Sequence, residues 1–342
     1  MSSCKNCFAP IEDLRSAVRC STCSSALHKE CAVKDGGTFY CDVCYTVALE
    51  KKTACQTDIQ IPEVIRRSHI ELYKSCPYAF YLEVIKKVPT TCSSFAQIGI
   101  DLHDLFYRAC LGNMSKKYLT QTYRNIWEAN YTDELFEADL HLYKDMNVQQ
   151  LRDKLWQQSL DAIDAFFEML PTLPQNAFAL EKTLELSVGD DLPKISITMD
   201  RIDEIDGELE VHDWKTGTVM VGKKLSSDLQ APLYIKTIQS HYNMPVRRFI
   251  FHYLSENKTR TFERIDDDNY VCTVNKREYF INLTDAIREV QHIFSQIKNG
   301  QFNIPRNTRK MYFTCKTCSY SKCGTCQGAD IEGWKQYNRG RK

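Results

Sequence analysis

The sequence predicts an α/β domain, with a central mixed sheet flanked by helices, behind a small N-terminal module stabilised by zinc. Three observations predict it. Apolar residues recur at helical spacing on both sides of a block of β-type alternation between residues 177 and 216. The first 44 residues carry cysteines in pairs two apart, with few apolar residues between them. A chain of 342 residues with 43% hydrophobic content is long enough for one large core plus a small module.

The module, residues 1–46, reads Cys4-x2-Cys7, Cys20-x2-Cys23, His28-x2-Cys31 and Cys41-x2-Cys44. Pairs at this spacing turn back onto one ion, so eight ligands are enough for two tetrahedral Zn²⁺ ions. All eight close both sites, which excludes zinc catalysis there. The chain holds 16 cysteines. Its first residues, MSSCKNCFAP, lack the apolar core of a signal peptide, and no run approaches the ~20 apolar residues needed to cross a bilayer. A soluble, intracellular protein with no membrane partner is therefore expected, and with it metal ligation rather than disulfides. Cys55, Cys92, Cys110 and Cys272 fall outside every cluster and read as buried thiols.

Residues 47–66 lose the metal-binding spacing and contain Pro62, and are expected to be a linker. From 67 to 330 a single domain is expected, followed by a basic tail over 331–342. A helix opens near Ser68, a second runs from Ile98 to Leu111, and a long helical stretch runs from about 140 to 170. Strands follow over 177–188, 194–205 and 209–216, the last two joined by the Asp206-Gly207 turn. A helix over 228–242, strands over 247–254 and 259–265, and a helix over 284–298 complete the domain.

Within the expected hairpin, Asp200 ends an apolar alternation, and Asp213 and Lys215 bracket Trp214 on the next strand. Residues two apart on a strand share a face, so Asp213 and Lys215 lie together, and Asp200 opposite them brings two carboxylates and an ammonium to one place. Carboxylates suit a hard cation such as Mg²⁺ or Mn²⁺. Such an ion polarises a phosphate oxygen and activates water, while an adjacent lysine balances developing charge. On its own, Asp-x-Lys reads equally as a solvated ion pair. Gly217-x4-Gly222-Lys223-Lys224 nearly spells a phosphate-binding loop, but Lys224 stands where a Ser or Thr would hold Mg²⁺.

The run Asp200-Arg201-Ile202-Asp203, then Asp213-Trp214-Lys215-Thr216-Gly217, then Gln230-x3-Tyr234 resembles the PD-(D/E)XK nucleases, and specifically their RecB-like branch. Gly99-x3-His103 is similar to that branch's upstream element. The resemblance spans about residues 67–330. It implies a restriction-endonuclease-like core, with His103, Asp200, Asp213 and the Trp214 carbonyl as ligands of Mg²⁺ or Mn²⁺ and Lys215 as the catalytic lysine. Gln230 and Tyr234 would line the DNA path. Glu181 resembles an acidic residue that precedes the core strands, and the resemblance gives it no role.

Cys315-x2-Cys318-x4-Cys323-x2-Cys326 reads alone as a zinc knuckle with a short central loop. The distant Cys76-Pro77-Tyr78 resembles the RecB-like element in which one early cysteine joins three late ones around a 4Fe-4S cluster. That implies Cys76, Cys315, Cys318 and Cys323 as ligands. Family spacing leaves five residues before the last of them; Cys323 gives four and Cys326 seven, so Cys326 is the alternate and zinc the alternative metal. From Lys298 to Lys342 there are ten Lys or Arg against two acids, a phosphate-binding patch or a solvated tail.

The ligand order of the N-terminal module, four Cys, one His and three Cys, with the ending Phe39-Tyr40-Cys41-Asp42-Val43-Cys44, resembles a PHD finger. In that family the first and third pairs share one zinc, and the second and last pairs the other. Glu12, Asp13 and Phe39 are its few candidates for histone contact, so docking to a protein partner is the expected role. Together the resemblances imply an exonuclease acting on single-stranded DNA ends in processing, repair or recombination. No helicase motifs occur, so a helicase partner would supply any unwinding. The competing expectation is a catalytically silent adaptor that binds DNA ends or proteins. Net charge is zero and decides nothing between them.

Overall fold

The computed structural model describes all residues except 1–2, 5, 8–9, 12–16, 22–23, 36–37, 43, 46–58, 91–92, 113, 144, 305–313, 323–324 and 327–342. Cys23, Cys55, Cys92, Cys323, Glu12, Asp13, most of the expected linker and the basic tail thus lie outside the described residues. The described residues divide into two compact units, 1–60 with 298–301 and 61–297 with 302–342.

In the smaller unit, β1 (Val18–Arg19) pairs antiparallel with β2 (Ala26–Leu27), and β3 (Val33–Asp35) with β4 (Thr38–Tyr40). Its buried centre consists of Ile11 and Leu27 with Cys4, Cys20 and Cys41. The two buried aliphatic side chains among its described residues cannot alone stabilise a fold of this length, so the cysteines' contribution matters to whether it folds.

The larger unit starts with β5 (Val64–Arg66), a three-residue strand inside the expected linker that pairs parallel with a strand 130 residues later, Val64 opposite Lys194. Helix α1 (Arg67–Ser75) follows directly. Arg66, not Ser68, occupies its N-cap position, and no side chain caps it. Next come α2 (Pro77–Phe80), running into a π turn over Tyr81–Ile85, then α3 (Ser94–Cys110), capped by Ser93, and α4 (Lys116–Asn130), capped by Ser115. After the short α5 (Asp133–Glu137), α6 (Val148–Met169) begins eight residues later than the periodicity implies. The reason is local: Asn147 and Gln150 form a reciprocal capping box that fixes the start.

Then come β6 (Ala179–Leu186), β7 (Lys194–Ile205) and β8 (Glu208–Lys215). Asp206 and Gly207 join β7 to β8 with φ of 54° and 80°, the positive pair a two-residue type I′ hairpin requires. Helices α7 (Lys224–Ser227) and α8 (Gln230–Tyr242) lead to β9 (Val246–Tyr253), β10 (Lys258–Arg264), β11 (Asn269–Val274), β12 (Arg277–Asn282) and α9 (Leu283–Lys298). A last turn, α10 (Ser319–Lys322), lies in the cysteine segment.

The strands form one mixed sheet in the order β12-β11-β10-β9-β8-β7-β5, with β6 also on β7. β8 and β9 run parallel, linked by the α8 crossover, as do β5 and β7; the other pairs are antiparallel. The sheet lies between two cores. Val211, Phe249 and Phe251 pack with Leu233 of α8 and Phe294 of α9. Trp214 packs instead with Leu102, Phe106, Trp127 and Phe166 of the helices α3, α4 and α6. Strand alternation therefore turns Trp214 toward the helical lobe and leaves Asp213 and Lys215 on the α8 side. No helix among the described residues is long and apolar enough to cross a membrane.

Candidate metal centre

Asp200 and Asp213 lie on neighbouring strands, in a register that sets Arg201 opposite His212. Both carboxylates are buried, at 7% and 3% exposure, which is costly unless each is compensated. Asp200 is compensated twice. Its Oδ1 lies 3.1 Å from His103 Nδ1, and its Oδ2 accepts the Trp214 backbone N–H at 2.6 Å. Asp213 lies 2.6 Å from Lys215 Nζ and accepts a hydrogen bond from the Gln230 amide. Lys215 Nζ also donates to Gln230 Oε1 at 2.9 Å, so Gln230 bridges the acid and the ammonium. The first turn of α8 places that amide: Gln230 N–H donates to Asp228 Oδ1 at 2.8 Å. Tyr234, one turn on, is buried against Phe249.

His103 reaches the strands because α3 crosses close to the end of β8. A Cβ on Gly99, one turn earlier, would meet Thr216 Oγ1 at 3.4 Å. Burial works against an imidazolium here, but the Asp200 carboxylate and its hydrogen bond outweigh burial and raise the His103 pKa to about 9. A cation at this place would compete with that proton for Asp200.

The residue the sequence left without a role is Glu181. Ligand atoms of His103, Glu181 and Asp200 all lie within 4.8 Å of one another, a set able to hold a metal ion. Glu181 stands at the β6 position facing Asp200, between the pairs Leu180–Arg201 and Lys182–Met199. Its φ is 44°, a left-handed conformation uncommon for a non-glycine residue and found preferentially at functional sites. Burial, and then the neighbouring Asp200 charge, raise its pKa to about 7. Asp213 stands beside this set, turned to Lys215 and Gln230. Burial pushes its pKa up and Lys215 opposes that push.

Behind Trp214 lies a second, fully enclosed polar group. Arg201 Nε donates to both oxygens of Asp203, at 3.0 and 2.8 Å. His212 Nε2 lies 3.2 Å from Asp203, and His212 Nδ1 is 3.0 Å from His252 Nε2. The Trp214 ring lies against His252 and Phe166.

Cysteines converge at two further places. In the small unit Cys4, Cys7, His28 and Cys31 bring ligand atoms within 4.8 Å of one another, as do Cys20, Cys41 and Cys44, so the pairs interleave. In the large unit Cys76 is buried with Ala79, Leu82 and Tyr320, and Cys318 and Cys326 pack on the same cluster. Cys315 is buried nearby in sequence, and its carbonyl accepts the Cys318 N–H. Burial, and then the nearby Cys318 and Cys326, push the Cys76 thiol pKa up. Tyr320 donates to the Val88 carbonyl, and His141 Nε2 lies 2.8 Å from the Lys316 carbonyl, tying this segment to two separate parts of the domain.

A family model described as the PD-(D/E)XK nuclease superfamily matches residues 67–326, which include every one of these large-unit residues. No curated protein matches the sequence. Among solved structures, one described as "Crystal structure of SSO0001" aligns with 84% of this chain and 97% of its own, at 15% identity and a TM-score of 0.31.

Proposed function

The chain belongs to the PD-(D/E)XK nuclease superfamily, and from that premise we propose that it is a Mg²⁺- or Mn²⁺-dependent deoxyribonuclease of the RecB-like kind, an exonuclease acting on single-stranded ends in DNA processing, repair or recombination. The observation that carries it is the meeting of His103, Glu181 and Asp200 beside the Asp213–Lys215–Gln230 group. Hard oxygen donors and one imidazole fit such an ion, and it supplies polarisation of the scissile phosphate and an acidified water. His103, Asp200 and Asp213 hold it, with the Trp214 carbonyl, and Glu181 joins them as a ligand the motif does not name.

Lys215 orients the attacking water and balances charge on the phosphate, and Gln230 keeps its ammonium beside Asp213. Gln230 and Tyr234 border the strand's path. The same reading keeps a finger over 1–46, a linker, a nuclease domain over 67–330 that also takes β5 (Val64–Arg66) into its sheet, and a basic tail. The test is digestion of end-labelled single strands with Mn²⁺, blocking each end in turn. Shortening from one open end supports the reading. Failure to cut single- or double-stranded DNA with either metal overturns it and leaves a DNA- or protein-binding adaptor.

The cysteines serve structure in this reading. Cys76, Cys315 and Cys318, with Cys323 or Cys326, hold a 4Fe-4S cluster that ties the end of the domain to its beginning, and the position of Cys326 beside Cys76 and Cys318 favours it as the fourth ligand. Cys4, Cys7, His28 and Cys31 hold one Zn²⁺, and Cys20, Cys23, Cys41 and Cys44 the other, in a PHD-like finger that docks a protein partner. Metal analysis of anaerobically purified protein is expected to give about two zinc and about four iron per chain, with a brown colour. One extra zinc, about three in all, and no colour would replace the cluster by a zinc knuckle. Chelation of the zinc is expected to unfold the finger alone, read as loss of its amide protection.

A further inference from the structure

A cleft of about 680 Å³ opens beside the candidate metal centre, between α3 and the strands β6 and β7. His103, Glu181 and Asp200 lie in its wall, and Asp104 adds a further carboxylate. Among the described residues, no Lys or Arg lines it. The remaining α3 wall is a stripe of Ala96, Gly99, Ile100 and Tyr107, positions that recur on one face of a helix. Ile100 is the outlier, 59% exposed although it stands three residues before His103, and thus next to it on the helix surface.

Charge decides what this cleft accepts. A phosphate at the metal centre is offset by the cation and Lys215, but a second phosphate deeper in the cleft would meet Glu181 and Asp104, and Arg108 is already committed to Asp104 at 2.6 Å. The uncharged part of a nucleotide has the opposite preference, because a flat base covers exposed apolar surface and repels nothing.

We propose that Ile100 and Tyr107 form the shelf for the base of the nucleotide next to the scissile phosphate, and that the shelf makes the enzyme select an unpaired nucleotide. The inference rests on the nuclease reading and deepens it. In a duplex a base is held by its pair as well as by its stacked neighbours, so reaching the shelf means unpairing it first, whereas an unpaired nucleotide only has to turn onto it. Discrimination then resides at the cutting position itself.

The experiment uses the full-length protein with Mn²⁺ and end-labelled single strands in which one abasic nucleotide is moved stepwise along the chain. Cleavage rates are compared for wild type, Ile100→Ser and Tyr107→Ala, with Tyr107→Phe as the conservative control. Wild type is expected to lose about tenfold or more at one abasic position beside the cut. Ile100→Ser is expected to cut the intact strand slower by a similar factor and to be nearly indifferent to the abasic nucleotide there, while Tyr107→Phe behaves as wild type.

A flat abasic profile in wild type, or equal abasic sensitivity in wild type and Ile100→Ser, overturns the inference and leaves the nuclease standing. A wild-type protein that cuts no strand with any metal removes both. Because Ile100 is exposed, the serine variant is expected to melt with wild type, which separates loss of the shelf from loss of the fold.

Discussion

Lys215→Ala is expected to slow strand cleavage on the order of 10³-fold while changing the affinity for single-stranded DNA by less than about tenfold. In the proposed mechanism the ammonium serves chemistry rather than general attraction. It lies 2.6 Å from a carboxylate and 2.9 Å from the Gln230 carbonyl oxygen, over the face of Phe251. A lysine held for long-range attraction would extend into solvent, whereas this one is fixed by three partners at the end of β8. Asp213→Asn is expected to cost a similar factor. The double variant should be little slower than either single one, because groups that act as a unit are not additive. Single-turnover rates and strand affinities of the three variants check this. Full multiplication of the two single effects would mean that the residues act separately.

Gln230→Ala gives the intermediate case. It removes the bridge but neither charged group, so the loss should be about ten- to hundredfold, below that of Lys215→Ala. Tyr234, one turn along the same helix, packs edge-on against Phe249 and in the proposed reading borders the strand's path beside Gln230.

Much of this site was legible because its members sit at fixed offsets in sequence. Asp213 and Lys215 share a strand, Asp-Gly marks the turn that brings Asp200 back to them, and Gln230 and Tyr234 share a helix face. Glu181 was legible only as an acidic residue ahead of the core strands, without a role, because its place beside Asp200 depends on register alone. It faces Asp200 only because β6 pairs antiparallel with β7, and its left-handed φ has no signature in a single sequence.

The same physics separates the fold's visible parts from its hidden ones. The β11–β12 hairpin escaped notice because Asn275 and Lys276 form its turn at φ of 50° and 63°, and lysine is not a residue that advertises positive φ. Three-residue β5 is too short for any alternation to show, and its partner is remote. Helix α4 presents only Leu119, Tyr123 and Trp127 as buried residues amid a polar run, a stripe narrow enough to be overlooked. Cys326 packs on the Cys76 cluster from 250 residues away, a proximity that no motif spacing reveals, while Cys323, the motif's choice of fourth ligand, lies outside the described residues.

Asp203→Ala is expected to destabilise the nuclease domain by about 3–5 kcal/mol, the cost of leaving a buried charge without its partner. Asp203 is fully buried, and Arg201 is 2% exposed and donates two hydrogen bonds to it. Without that carboxylate the guanidinium keeps the Pro174 carbonyl and the Cys110 side chain but no opposite charge against it, and His212 loses the oxygen 3.2 Å away. In a domain of this size each kcal/mol lowers the melting temperature by roughly 2–4 °C, so a drop on the order of 10 °C is expected. Replacing both partners by apolar residues, as in Arg201→Met with Asp203→Leu, should recover much of it, since no lone charge remains buried. The pH dependence has a definite sign. Burial alone would raise the Asp203 pKa, but the His212 and Arg201 contacts hold it below its ordinary 3.8. Its contribution is therefore complete above that value and is lost as pH falls through the depressed one. Thermal melts from pH 7 down to about pH 3 should show the gap between wild type and Asp203→Ala narrowing only at the acid end. A gap that closes near neutrality would mean that the Arg201–Asp203 pair is not what holds β7 and β8 in place behind Trp214.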